Sequence, residues 1–392
     1  MPPRIYFDNA ATTPMDPRVR EAVEPHLNGL WGNPSSLHQE GRVAREAVEV
    51  ARAQVAALLG AEAGEIVFTG SGTEADNMAL WGVASAAEGQ PCHVVTSAIE
   101  HPAILECCSE LRRLGVETTL LPVGSDGIVD PADLRRAIRP DTRLVSIMAA
   151  NNVLGTLQPV AELAGVAHAN GILFHTDAVQ AAGKIPLDVR SLPIDLLSLS
   201  AHKLHGPKGV GALYVRKGVK LTPLLAGGGQ EKGLRSGTEN VAGIVGLGRA
   251  AEIARTEMAA EAVRLVRIRD FLIESIQESI GNAYFIGHRF RRLPGHVCLG
   301  FDGMEGEAIK LLLKLDETGI AISSGSACSA NHAGQPSHVL QAIGFNPIQA
   351  RGSLRITLGR FNTMDEARRF VQVLPQVVSS LRPMHGMVGA VS

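Results

Sequence analysis

Between residues 65 and 215 the chain alternates short β-branched, apolar runs with longer stretches at helical spacing, and this pattern restricts the fold more than any other feature. The runs lie at 65–69, 93–97, 144–149, 172–176, 196–200 and 211–215, and most are apolar throughout rather than at every second residue. Strands covered on both faces have that texture. The helical stretches at 73–87, 103–113 and 160–169 have the length of right-handed crossovers in a mainly parallel sheet. The predicted class is therefore α/β. From about residue 252 a charged amphipathic helix runs to about 279, followed by a shorter α/β stretch that ends in a helix over 364–381. These changes predict a large domain over 15–255. A smaller domain, made of 1–14 and 256–392, would carry the loop around Cys328.

Composition narrows the functional classes. With 37 Lys plus Arg against 39 Asp plus Glu, there is no global basic field to hold a nucleic acid or an anionic membrane. The opening MPPRIYFDNAATTP has no apolar core of a signal peptide, and the uncharged stretch 144–161 is interrupted by Asn151, Asn152, Gln158 and Pro159. Neither a leader nor a membrane span is expected. The five cysteines (Cys92, Cys107, Cys108, Cys298 and Cys328) form no CxxC pair, so no zinc site or disulfide scaffold is expected, and free thiols in a reducing cytoplasm are. Residues after 382 read as a frayed tail.

In the α/β class, ligands collect at the carboxyl ends of strands, and four loops there carry chemistry-bearing residues. In TGSGTEADN, Gly70, Ser71, Gly72 and Thr73 open a helix, with Ser71 and Glu74 at capping-box spacing. Such a start suits a phosphate, or it is an ordinary capped helix. In LFHTDAVQ, Asp177 ends a buried strand, where an unpaired carboxylate is costly and calls for a cation or a strong donor. A helix N-cap is the plainer alternative. In LSLSAHKLHGPKG, Lys203 leaves a buried strand into a glycine-rich loop beside His202, as a Schiff-base amine would, or as a solvated lysine would. In ISSGSACSANHAGQPSHVL, Cys328 has no apolar stripe to bury it and reads as a thiol presented on a mobile loop. The other four cysteines lie in ordinary helix and strand patterns and read as core. Taken together, a phosphate cradle, a strand-end Asp, a strand-end Lys and a loop thiol match what pyridoxal phosphate requires, with Lys203 bound to its aldehyde and Asp177 beneath its ring nitrogen.

The strings YFDNAATTP, GNPSS, FTGSGTEADN, EHPAIL, NNVLGTLQP, HTDAVQ, SAHKLHGPKG, RSGTEN, SSGSACS and SLRITLGR occur in this order. With them the chain resembles, over nearly its whole length, the cysteine desulfurases of the NifS and IscS type. The resemblance implies fold type I, a mainly parallel seven-stranded sheet with helices on both faces plus a smaller α/β C-terminal domain. It also implies roles. Lys203 would form the Schiff base with pyridoxal 5'-phosphate and shuttle protons. His101 would stack on the ring and act as acid or base, Asn152 and Gln180 would lie near the ring hydroxyl, and Gly72, Thr73, Ser200 and His202 would hold the phosphate. Thr238 would reach the phosphate of a partner subunit in an obligate homodimer. Arg355 and Asn33 would grip the substrate carboxylate. Cys328 would take sulfur from L-cysteine as a persulfide, leaving L-alanine, and pass it to an acceptor such as an iron–sulfur scaffold or a tRNA-thiolation relay. No metal site, direct nucleic-acid contact or membrane contact is implied.

The sequence departs from the family pattern in three places. Val153 follows Asn152 where an acidic residue is usual, the segment after Cys328 is one residue longer and contains His332, and the tail beyond Leu381 is short. Two other readings fit the same residues. One keeps the cofactor and takes selenocysteine or cysteine sulfinate; the other is a non-catalytic sulfur-relay or scaffold protein on the same fold.

Overall fold

The computed structural model describes residues 4–87, 89–325 and 336–381. Its main sheet has seven strands in the order Ile66–Thr69, Gly211–Val215, Leu196–Ser200, Leu173–Asp177, Thr142–Ser146, His93–Ser97 and Glu117–Leu121. Gly211–Val215 runs antiparallel to both its neighbours, and every other pairing is parallel. The residues that made the strand runs apolar throughout point alternately to opposite faces. Phe68, Val95, Val145, Leu197 and Tyr214 enter one core, and Val67, Val94, Leu144, Leu196 and Leu213 enter another. Each face has its own helices, so the two-sided burial read from the sequence has a direct cause.

Two boundaries differ from the expectation. The run at 144–149 leaves the ladder after Ser146, and Ile147 and Ala149 then donate their amides to His175 and Asp177 carbonyls. The long helix begins at Val241 rather than near 252 and spans 39 residues to Ser279. Its first turns carry Gly243, Gly246 and Gly248 instead of charges; Gly246 packs on Val23 and Pro207, and Gly248 on a neighbouring helix, Gln39–Leu59. A Cβ on Gly248 would lie 2.5 Å from the Cα of Ala51. The strand Glu117–Leu121 is not among the apolar runs because it is a half-exposed edge.

The long helix supplies two cores. Ile244, Leu247, Ala250 and Ala251 pack into the core on one face of the main sheet. Ile268, Leu272, Ile273 and Ile276 pack into a second core with Phe7, Leu299, Ile356 and Phe370. That second core rests on a four-stranded antiparallel sheet made of Ser323–Ser324, Leu354–Thr357, His296–Phe301 and Ala283–Phe285. The N-terminal strand Ile5–Tyr6 crosses over to pair in parallel with Ile320–Ala321. Residues 7–13 thereby pass between the two cores, over the carboxyl ends of the main sheet. Among the described residues no helix is long and apolar enough to cross a membrane.

The loop that follows the main sheet and carries RSGTEN is fastened by a buried ion pair. Arg52 donates to both carboxylate oxygens of Glu231, at 2.7 and 2.8 Å, and to the carbonyl of Ile66. The Phe68 amide adds a third donor to the same carboxylate. Glu231 and Lys232 both have left-handed backbone, with φ of 46° and 60°, a strain that these bonds hold in place. Removing one partner strands the other's charge in the core. Glu231→Ala is therefore expected to cost about 3–5 kcal/mol, measured as a lower midpoint in denaturant unfolding at unchanged slope.

Candidate functional site

A cavity of about 590 Å³ opens at the carboxyl ends of the parallel strands, where the topology of this class places ligands. Gly72, Thr73, His101, Asn152, Asp177, Gln180, Ser200, His202, Lys203 and Arg355 all line it. Residues from 72 to 355 in the sequence thus meet around one space.

Each wall has a local cause. The helix Gly72–Ser85 is capped by Ser71, whose hydroxyl accepts the Glu74 amide at 3.0 Å. The expected reciprocal half of a capping box is displaced by one residue. The Glu74 carboxylate takes the Gly70 amide instead and is held from the far side by Arg235. That leaves the first-turn amides of Gly72 and Thr73 with no intrahelical acceptor, as at any helix start. Position 72 must be glycine, because a Cβ there would lie 2.7 Å from Cγ2 of Val179 in the Asp177 loop. The helix start and the strand-end carboxylate are packed against each other.

Lys203 closes a short 3-10 turn, Ala201–Lys203, directly after the strand Leu196–Ser200. His205 just beyond has left-handed backbone, with φ of 61°. It is tied to the N-terminal segment through Thr13 Oγ1 and the Pro14 carbonyl. The Lys203 ammonium donates to the carbonyls of Ala10 and Ala11, the latter at 2.7 Å. The plainer reading, a solvated surface lysine, does not describe this environment.

Asp177 is the last residue of its strand and is buried. One oxygen accepts the Val179 amide at 2.8 Å, an Asx-type turn rather than a helix cap. Burial pushes its carboxyl up to about 6, opposed by the Val179 amide and by Lys203. Behind it lies Asp76, raised well above the carboxylate range by burial and then by the charge of Asp177. Oδ1 of Asp76 has no hydrogen-bond partner among the described residues and sits 3.7 Å from Nε2 of His175. Two buried carboxyl groups that act on each other cannot both ionise cheaply, so the pair demands a proton or a cation from the cavity side.

His101 caps the helix Pro102–Arg112, its Nδ1 accepting the Ala103 amide at 3.1 Å. That bond puts the proton of the neutral ring on Nε2. Burial, followed by the charges of Lys203 and His338, pulls its pKa down to about 4. Arg355 is fully buried; one of its nitrogens donates to Asp8 at 2.9 Å and the other to the Asn152 carbonyl at 3.2 Å.

Two expected residues lie elsewhere in this chain. Asn33 is exposed, with its side chain accepting the Ser35 amide, and it is not among the residues lining the cavity. Thr238 is also exposed and away from the cavity. Cys328 and His332 lie outside the described residues. Of the remaining thiols, Cys92, Cys107, Cys108 and Cys298 are all buried. Burial raises Cys92 and pushes Cys107 to about 11 and Cys108 and Cys298 to about 12, so they stay protonated and inert at neutral pH. Val153 is a core residue, packed with Ile99, Leu154, Val339 and Leu340; apolar contact anchors this loop in place of an acidic one.

The sequence reading did not single out Asp76, Glu100, Lys208 or Asp8. Asp76 was visible only as the residue one helical turn beyond Gly72 and so on the same face. Glu100 is buried, and its carboxylate accepts Ser97 Oγ at 2.6 Å and the Met148 amide at 3.0 and 3.1 Å. With its pKa at about 8, it supports the turn that delivers His101.

The carboxyl of Asp177 makes a testable contribution to stability. Its folded pKa of about 6 lies above the ordinary value of 3.8. The folded state therefore holds the proton more tightly, and stability falls as pH rises through that interval. At neutral pH the buried charge is a net cost. Asp177→Asn without any ligand is expected to be more stable than the parent by ~1–3 kcal/mol. Thermal unfolding at neutral pH checks this, and the gain should vanish at a pH below 4.

Comparison with known proteins agrees with the geometry. The family model "Aminotransferase class-V" matches residues 5–370. A cysteine desulfurase IscS of Dictyoglomus turgidum is 49% identical over 378 residues, covering 96% of this chain and 95% of the relative. A solved structure described as a NifS-like protein is 40% identical, with a TM-score of 0.90 over 96% of this chain and all of that one. A structure of SspA in complex with cysteine is 37% identical, with a TM-score of 0.81 over 92% of this chain and 100% of that chain. With its main sheet, its strand-end Lys203 and Asp177, and relatives matched over nearly their full length, the chain belongs to the class-V aminotransferase family and, within it, to the cysteine desulfurases.

Proposed function

We propose that this chain uses pyridoxal 5'-phosphate, bound through Lys203, to take sulfur from L-cysteine onto Cys328 and release L-alanine. The observation that carries the reading is the meeting of Lys203, Asp177 and the helix start at Gly72–Thr73 around one cavity, in a chain of this family.

The residues suit that cofactor. The raised carboxyl of Asp177 and the unpartnered oxygen of Asp76 behind it fit a protonated ring nitrogen, which would draw Asp177 back toward its ionised form. The unsatisfied amides of Gly72 and Thr73, with Ser200 and His202 beside them, fit a phosphate. When bound, the cofactor supplies an electron sink for bonds broken at the substrate's α-carbon.

This chain's own groups do the rest. Lys203, whose ammonium the Ala10 and Ala11 carbonyls hold at the cavity wall, would hold the cofactor through its aldehyde and would serve as the base for the proton on the substrate's α-carbon. Arg355 binds the substrate carboxylate through its guanidinium fork, in competition with Asp8. His101, neutral at physiological pH, would flank the ring with Nε2–H as its donor. Asn152 and Gln180, which line the same cavity, would hold the ring's polar edge. The buried thiols hold their protons, which leaves sulfur capture to Cys328, the cysteine that the sequence sets among Ser and Gly residues. The same reading assigns Thr238 to the phosphate of a partner subunit, so that two copies complete each other's sites. It also makes an iron–sulfur scaffold or a tRNA-thiolation protein the sulfur acceptor, in the cytoplasm. The SspA structure in complex with cysteine supports L-cysteine as the substrate.

Mass analysis after exposure to L-cysteine tests the central step. The peptide containing Cys328 should gain one sulfur atom, and Cys328→Ser should not. Lys203→Ala should lose the visible absorption of the bound cofactor and ~10²–10⁴-fold in alanine release. Persulfide on any other cysteine, or none, overturns the assignment. Comparing L-cysteine with selenocysteine and cysteine sulfinate, with and without Cys328, separates the other substrate classes.

A further inference from the structure

Lys184 is a half-buried lysine that the reaction as described does not use. It follows the Asp177 loop, and its ammonium donates to Oε1 of Gln180 at 3.2 Å. The amide group of Gln180 donates in turn to the Ala10 carbonyl at 2.9 Å, which is also an acceptor for the Lys203 ammonium. One carbonyl therefore joins two lysines through a single side chain. Lys184 and Lys203 also share the wall of a second, narrow cavity of about 60 Å³ between the two cores, together with His205 and His296.

We propose that Lys184 is a positioning residue for the Lys203-bound cofactor. It fixes the Gln180 amide with its oxygen turned away from the cavity and its NH2 turned toward Ala10 and the ring, and it keeps a second positive charge beside Lys203. The inference rests on the pyridoxal phosphate reading above and extends it to a residue outside the cofactor cavity.

The hydrogen-bond chemistry of the amide forces the orientation. An ammonium offers only donors and a carbonyl only an acceptor. Gln180 can satisfy both only with Oε1 toward Lys184 and Nε2 toward Ala10. An amide held that way presents N–H, not C=O, to a ring oxygen, and so favours that oxygen as an anion. The charge acts in the same direction. Facing Lys203 are the carboxyl of Asp177, which favours its cationic form, and His101, His202, Lys208, Arg355 and Lys184. His101 and His202 are both pulled down to about 4 and carry no charge at neutral pH. The groups facing Lys184 from the other elements are His205, His296, Glu261 and Arg360, of which both histidines are also lowered by burial. Burial and the Lys203 charge bring Lys184 itself down to about 7, so its charge is held against a standing penalty. A lysine that served only packing would do so with its amine in water.

The pH midpoint of the bound cofactor's visible absorption tests the inference, because a purely structural lysine would not move it. In Lys184→Met the midpoint should rise by about one pH unit, since the protonated Lys203 linkage loses a like charge nearby. Lys184→Arg should return it to within about 0.3 unit of the parent. Cofactor affinity of the unloaded protein, read by fluorescence titration, should fall by about 3–10-fold in Lys184→Met and recover in the arginine variant. A midpoint and affinity equal to the parent's in a folded Lys184→Met protein overturn the proposal. If Lys184→Met does not fold, Lys184→Gln, which keeps a donor and drops the charge, is read by the midpoint alone, which should still rise; a midpoint equal to the parent's overturns the proposal. A parent protein that binds no pyridoxal phosphate at Lys203 would instead refute the cofactor assignment, a separate outcome.

Discussion

Burying the carboxyl of Asp177 at the end of a fully covered strand is the constraint around which the rest of this site is arranged. A carboxylate in that position is unfavourable by itself, as its elevated pKa shows, and a second carboxyl behind it makes matters worse. The fold tolerates this because the surrounding strands and helices bury enough apolar surface to carry a local deficit of a few kcal/mol. What the molecule gains is a socket with a fixed electrostatic preference. The ammonium of Lys203 acts on Asp177 and favours its ionised form, so the two residues most needed for chemistry are also coupled to each other.

The socket is completed by chain segments with little structure of their own. Residues 7–13 carry the Ala10 and Ala11 carbonyls that hold the Lys203 amine, and Asp8, which holds Arg355. The segment is pinned at both ends, by pairing of Ile5–Tyr6 with Ile320–Ala321 and by Thr13 against His202. Since Arg355 sits on the strand Leu354–Thr357 of the smaller sheet, the cavity joins both cores, and a shift between them would change its shape. The long helix, which packs into both cores, limits that shift.

Legibility from sequence was uneven, and the reasons are physical. Residues placed by local chemistry could be read directly. Lys203, Asp177 and Gly72 each follow a strand whose burial is written as a continuous apolar run, and a helix start has unsatisfied amides whatever its surroundings. The four core cysteines were readable for the same reason, since each lies in a periodic apolar pattern. Asp76, Glu100 and Lys184 were not readable. A charged residue inside a helix or a loop looks solvent-facing until a second element is known to cover it. Val153 stands where an acidic residue is usual, and packing against Ile99 and Leu340 secures its loop, a contact that no local pattern shows.

By itself, then, the sequence determined the class of fold, the strand ends at which polar residues would collect and, through its ordered motifs, the family. These depend on periodicity and on neighbours within one turn or one strand, which are local properties of the chain. Only the tertiary structure decided which charges share a low-dielectric space, that His101 is neutral with its proton on Nε2, that Asn33 and Thr238 stand apart from this chain's own cavity, and that a second lysine reaches Lys203 through Gln180. Electrostatic energies and pKa values depend on distance and desolvation between segments remote in sequence, and no local pattern encodes those quantities.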